Sequence, residues 1–144
     1  MSADRTLRDL ADLEAIRDLA RRYAHYVWQN ELDALADLFA EDGSMDPGTR
    51  PPIVGRAALR AGFREMLTAG STFLPFIQQH VVDLDGDVAK GTCYIDLRAE
   101  VNGESMIGAG WYDDRYVRTA SGWRFQTRKI TLRFFAPLHD GWAK

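Results

Sequence analysis

Along the first fifth of the chain apolar residues return every third or fourth position: Leu7, Leu10, Leu13, Ile16, Leu19, Ala20, Tyr23 and Val27. Charged residues fill the positions between them, the pattern of an amphipathic helix with one buried stripe. A second helix is predicted from about Glu31 to Ala40, capped by Asn30, with Leu32, Leu35, Leu38 and Phe39 inward and Gly43 just past its end. These two helices are expected to form a hairpin. Pro47, Gly48, Pro51 and Pro52 mark Gly43 to Gly55 as a loop with at most short extended pieces. A third helix follows from about Arg56 to Leu67.

After Ser71 the period changes from helical to extended, and Asp85-Gly86, Asn102-Gly103 and Ser121-Gly122 punctuate the rest of the chain. Such pairs supply the positive φ of tight hairpins. Four strands are therefore predicted, about Phe73 to Leu84, Val88 to Val101, Glu104 to Arg118 and Trp123 to Phe135, joined as an antiparallel meander. Helices first and sheet last indicate an α+β fold, with the helices laid on one face of a curved sheet.

Side chains alternate across a strand, so Ala89, Cys93, Ile95, Leu97, Ala99 and Val101 share one face while Tyr94, Asp96 and Arg98 share the other. Alternation alone leaves open which face meets the core. In the next strand Gly108, Gly110 and Tyr112 lie on one face and Ile107, Ala109 and Trp111 on the other, so both faces carry apolar or small residues. Helices would cover one side of such a sheet and a partner subunit the other. Uncovered, the face of Cys93, Ile95, Leu97 and Ala99 would be a contiguous apolar patch, which points to a homo-oligomer, a dimer or a trimer. Gly108 and Gly110 would also leave space for a ligand under the sheet.

The 144 residues fit a single domain, residues 1–144, and 46% hydrophobic with 27% charged residues is the mix of a soluble globular chain. A formal charge of −3 gives no overall field to attract nucleic acid. Cys93 is the only cysteine, and with three histidines no Cys/His metal set has the right spacing, so no metal and no cofactor are expected. MSADRTLRDL lacks the apolar run of a signal peptide, and no stretch approaches about 18 uninterrupted apolar residues, so a cytoplasmic protein without membrane contact is expected.

Four segments carry a family resemblance: IRDLARRYAHYVW, LDALADLFAEDG, VVDLDGDVAKGTCYIDL and the closing SMIGAGWYDDRYVRTASGWRFQTRKITLRFFAPL. With them the chain, from about Leu10 to Leu138, resembles the SnoaL-like branch of the nuclear-transport-factor-2-like (NTF2-like) superfamily, which includes polyketide cyclases, scytalone dehydratase, bile-acid dehydratase and lindane dehydrochlorinase. The resemblance implies a cone-shaped α+β barrel, cystatin-like in fold, with a deep pocket. It implies a pocket tyrosine at Tyr23, a strand aspartate at Asp96 and a pocket arginine at Arg128. Trp28 stands where the family's catalytic aspartate is expected. The family's histidine falls near Pro75 or Phe76, with His80 the nearest actual histidine, to be brought inward only by a register shift or a bulge.

The candidate catalytic residues are thus Asp96, Tyr23, Arg128 and His80. Asp96 on the cavity face would be raised by desolvation and lowered by Arg128, as a base requires; a structural Asp96–Arg128 pair or a solvent-facing Asp96 is the alternative. Tyr23 is either a proton donor or a core tyrosine, and His80 a base or a structural histidine. Trp28, Tyr94 and Tyr112, with Phe134, Ile130 and the space at Gly108 and Gly110, are the candidate substrate-binding residues. The expected function is a cofactor-independent lyase or isomerase, of dehydratase or cyclase type, acting on a hydrophobic cyclic small molecule such as a steroid, polyketide or terpenoid. A non-catalytic small-molecule binder that has lost the His–Asp dyad is the second reading, favoured by Trp28.

Overall fold

The computed structural model describes residues 2–143. Its elements in chain order are α1 (Ala3–Gln29), α2 (Leu32–Asp37), β1 (Phe39–Asp46), β2 (Ile53–Val54), α3 (Arg56–Thr68), β3 (Ser71–Asp85), β4 (Val88–Val101), β5 (Glu104–Thr119) and β6 (Gly122–Pro137). The strands form one sheet in the order β2-β1-β6-β5-β4-β3. Only the β1–β6 contact is parallel. The sheet is open at β2 and β3, so the cone is unclosed.

The Ser2 hydroxyl opens α1 by accepting the Arg5 N–H at 3.2 Å. Asn30 closes that helix in the left-handed region at φ 58°, its N–H directed at the Tyr26 and Val27 carbonyls. The expected role of Asn30 as the cap of the second helix is therefore corrected, and Glu31 stands at that position. α2 has six residues rather than ten, because the Leu38 carbonyl accepts the Phe125 N–H at 2.9 Å and the chain continues into the sheet. The expected loop from Gly43 to Gly55 accordingly holds the end of β1 and all of β2. Register on β6 slips between Phe39 and Ser44, and Gly43 fills that bulge, where a Cβ would lie 2.9 Å from the Ala40 carbonyl oxygen.

The meander follows its turn pairs. Asn102 and Gly103 have φ 52° and 80°, both positive as a type I′ hairpin needs, and Gly86 has φ 64°. Against the concave face α1 packs Ile16, Leu19, Ala20 and Tyr23 onto Cys93, Ile95, Tyr112, Tyr116 and Phe125. The odd positions of β4 are thus the core of a single chain, and the reason drawn from that face for a partner subunit falls away. Tyr94 and Arg98 are exposed on the opposite, convex face, with Asp96 between them.

Gly108 and Gly110 are not cavity space. A Cβ on Gly110 would sit 2.0 Å from the Thr131 carbonyl oxygen, and one on Gly108 would sit 2.9 Å from Cδ1 of Phe135. Glycine stands there because β6 crowds β5 where their register slips after Ala109. Among the described residues no helix is long and apolar enough to cross a membrane. Gly110→Ala is expected to lower unfolding stability by about 3 kcal/mol or more, since the obstacle is backbone that cannot repack; urea denaturation measures it, and an unchanged midpoint would contradict the close approach.

Candidate active site

His80 on β3, Cys93 on β4, Tyr112 on β5 and Ile130 on β6 lie side by side across the concave face. Gly91, Asp114 and Arg128 form the next row. His80 belongs to this face because β3 carries an extra residue between Ile77, which faces Ile95, and His80, which faces Cys93. The bulge falls at Gln78 and Gln79 and moves the inward parity from Phe73, Pro75 and Ile77 to His80, Val82 and Leu84.

The deepest polar pair is Asp114 with Arg128, whose side chains are fully buried and approach at 3.0 Å between Oδ1 and Nε. That approach lacks hydrogen-bond alignment, and Nε, Nη1 and Nη2 of Arg128 have no hydrogen-bond acceptor among the described residues. Ring faces surround the guanidinium instead: its carbon lies 3.6 Å from the centroid of Tyr112, 4.3 Å from Tyr23 and 4.4 Å from Phe125. Aromatic quadrupoles offset part of the desolvation cost. Burial works against the charge of Arg128, but Asp114 and the two tyrosines hold its pKa above the ordinary guanidinium value. Burial pushes the Asp114 carboxyl up from its ordinary range, while Arg128 and a hydrogen bond from Tyr116 pull it back.

From that pair a hydrogen-bonded chain runs outward. The Tyr116 hydroxyl donates to Oδ2 of Asp114 at 2.9 Å, and Nε2 of His80 lies 2.8 Å from the same hydroxyl. Gly91 makes the crossing possible, because a Cβ there would come within 3.1 Å of the Tyr116 hydroxyl oxygen and 2.6 Å of the Val81 carbonyl oxygen. His80 is half-buried, and desolvation, then the fields of Arg128, Arg17 and Arg21, push its pKa down to about 4. The imidazole is therefore neutral near pH 7. Burial pushes the neighbouring Cys93 thiol up to about 11, so that cysteine is a packing residue rather than a nucleophile.

The sequence-derived candidates divide sharply. His80, Tyr23, Arg128, Tyr112 and Ile130 meet on or under the concave face. Asp96 does not: it lies on the convex face opposite Phe76 and Ala109 and accepts a hydrogen bond from Gln78 at 3.1 Å. The expected Asp96–Arg128 pair is corrected to Asp114–Arg128, since β4 alternation puts Asp96 on the wrong side of the sheet. Tyr94, near Trp111, is also on the convex face and does not line the concave interior. Tyr23 is in the core, its ring edge-on to that of Tyr112 and its pKa raised well above the ordinary value by burial. Asp114, Tyr116 and Gly91 were not singled out from the sequence, although Asp114 and Tyr116 continue the parity of Gly108, Gly110 and Tyr112.

Trp28 is 43% exposed at the end of α1, where its indole N–H donates to the Pro75 carbonyl at 2.7 Å and its ring meets Phe76 edge-on. It borders a groove of about 570 Å³ formed with Val27, Leu67, Phe73 and Leu74. That volume lies within the range of small-molecule sites. Among the described residues no group of three or more His, Cys, Asp or Glu is gathered for a metal ion.

Removing either member of the buried pair leaves an uncompensated charge or its unpaired partner, so Arg128→Met and Asp114→Leu are each expected to cost about 3–5 kcal/mol in urea unfolding. The double variant should cost clearly less than their sum; additivity would mean the two groups do not interact. His80 generates a pH dependence. Its folded pKa of about 4 lies below the ordinary 6.5, so the unfolded chain binds the extra proton and stability is lost as pH falls from 6.5 towards 4. His80→Gln should flatten that part of the unfolding profile, whose slope Arg17, Arg21, Arg128 and Tyr116 otherwise set.

The fold agrees with known structures. An NTF2-like protein with a cystatin-like fold from Novosphingobium aromaticivorans is 28% identical, with a TM-score of 0.77 over 90% of this chain and 87% of that one. A candidate scytalone dehydratase from Novosphingobium aromaticivorans is 20% identical, with a TM-score of 0.82 over 93% and 92%. LinA is 19% identical, with a TM-score of 0.88 over 96% and 98%. The last two show likeness of fold alone. The SnoaL-like domain family matches residues 8–129, most of the sheet and α1 to α3 included, and the chain belongs to that SnoaL-like family.

Proposed function

We propose that this protein is a cofactor-independent lyase or isomerase in which neutral His80 removes a proton from carbon of a hydrophobic cyclic substrate. The observation that carries the reading is the hydrogen-bonded chain from His80 through Tyr116 to the buried Asp114–Arg128 pair. A histidine kept neutral and anchored through one ring nitrogen is in the form a general base needs. The fold likeness to a candidate scytalone dehydratase and to LinA supports the same class.

In the proposed step a C–H next to a carbonyl loses its proton to the imidazole. The C–H electron pair becomes the enolate, which either expels a β-substituent with its bonding pair or is reprotonated at another carbon. Arg17, half-buried and without an ion pair among the described residues, is the cation available to the developing enolate, since its field reaches His80 while Arg21 is held by Glu14 and Asp18. Tyr23 and Arg128 take no direct part in this step, because both are buried, and Arg128 acts only by holding Asp114 beneath the base. The expected oligomer keeps no support from the β4 core face and is not needed for this step.

Trp28 favours the second reading, a binder, because it fills the position of the family's aspartate and, among the described residues, no carboxylate hydrogen-bonds His80 directly. Exchange of ketone α-protons for solvent deuterium, followed by mass spectrometry over a panel of polycyclic ketones, separates the two. The enzyme reading expects exchange that His80→Gln slows by about 10²-fold or more while Asp96→Asn leaves it unchanged. Binding without exchange would establish the binder instead. Ligands in the groove are expected to quench Trp28 fluorescence, and Trp28→Phe to remove most of that quenching.

A further inference from the structure

The hydroxyl of Tyr116 has one proton and two neighbours, Oδ2 of Asp114 at 2.9 Å and Nε2 of His80 at 2.8 Å. Which neighbour receives it decides which nitrogen of His80 is free. Arg128 settles the direction. Its guanidinium is fully buried, and Asp114 is its one ion-pair partner among the described residues. A protonated Asp114 would leave that charge uncompensated in an apolar interior, which costs several kcal/mol, on the order of a broken buried pair. Asp114 is therefore the carboxylate, able only to accept, and the Tyr116 proton is committed to it.

We propose that Tyr116 is a positioning residue that holds His80 in its Nε2–H tautomer, with Nε2 donating to the Tyr116 oxygen and Nδ1 left unprotonated as the proton-accepting atom of the site. Nδ1 has no hydrogen-bond partner among the described residues, and the half-buried ring keeps one side open. When Nδ1 takes the substrate proton, the ring becomes an imidazolium with a proton on each nitrogen. Its Nε2–H bond to Tyr116 strengthens, and the positive charge is answered by Asp114 through the Tyr116 dipole. No proton has to leave Tyr116 or Asp114, and the one on Nδ1 returns to product or solvent. The role of Nδ1 in turnover rests on the reading of His80 as the base; the tautomer does not.

Long-range proton–nitrogen NMR correlation on the full chain labelled with 15N-histidine tests this directly. His80→Gln assigns the signal by loss, separating it from exposed His25 and His139. The wild type at pH 7 is expected to show Nε2 as the protonated nitrogen and Nδ1 as the bare one. Tyr116→Phe, checked for folding by its amide spectrum, should lose this preference and give a tautomer mixture, with deuterium exchange reduced about tenfold or more. A wild-type ring protonated on Nδ1 overturns the proposal without any variant, and so does a Tyr116→Phe ring that keeps the pure Nε2–H form. A pure Nε2–H wild type with full exchange in His80→Gln would leave the tautomer standing and overturn the role of Nδ1 together with the base.

Discussion

A full positive charge held in an apolar interior is the constraint on which the rest of this molecule depends. Arg128 needs a carboxylate and flat π-faces, and they come from three elements: Asp114 and Tyr112 from β5, Tyr23 from α1, Phe125 from β6 itself. Docking α1 on the sheet and setting the β5–β6 register are thus conditions for burying the guanidinium. Each polar group so satisfied then creates the next demand. Asp114 has a second oxygen, met by Tyr116; the Tyr116 oxygen has room for a donor, met by His80. The chain runs from a fully buried group to a half-buried one, and on the proposed reading its outer end is the one that meets substrate.

Much of the fold was legible in local chemistry. The turn pairs at Gly86, Asn102-Gly103 and Gly122 determine the meander, and the bounds of β4 coincide with the run from Val88 to Val101. The same turns also carry information on the site. Counting back from Asp85 opposite Val88 puts His80 opposite Cys93, on the apolar face of β4, with no knowledge of the bulge further along. The pairing of Asp114 was not legible in this way. Counting from Thr119 opposite Gly122 brings Asp114 to Thr127, and only the slip between Arg115 and Tyr116 moves it to Arg128. Nothing in the residues of β6 announces that extra residue. β1 was hidden for a related reason: its stretch after Leu38 reads as the end of an apolar helix until β6 offers hydrogen bonds alongside it.

The choice between two aspartates shows what kind of polar residue is informative. Asp96 sits between exposed Tyr94 and Arg98, is itself only half-buried and is met by Gln78, so its presence demands no explanation. Asp114 follows Gly108, Gly110 and Tyr112 and precedes Tyr116, in a stretch of β5 whose face carries no other charge between Gly108 and Tyr116. A carboxylate there must be paired, and the pair must be built into the core. The family resemblance pointed to the first aspartate because it aligned a strand position, whereas the energetics of burial single out the second.

The positions where the resemblance places a His–Asp dyad are in contact, but through other chemistry: Trp28 donates to the carbonyl of Pro75 and packs on Phe76. An indole there cannot stabilise an imidazolium. His80, further along β3, draws its support from the sheet side, with the carboxylate two hydrogen bonds away instead of one. A charge at that distance compensates less, and desolvation, then Arg128, Arg17 and Arg21, oppose protonation, so the imidazole is a weaker base than an isolated histidine. On the proposed reading, a weak base needs an acidic C–H, which favours carbon next to a ketone over unactivated carbon. The arginines that weaken the base also favour the product of its action, because negative charge developing on the enolate oxygen is attracted by the same field that repels the proton.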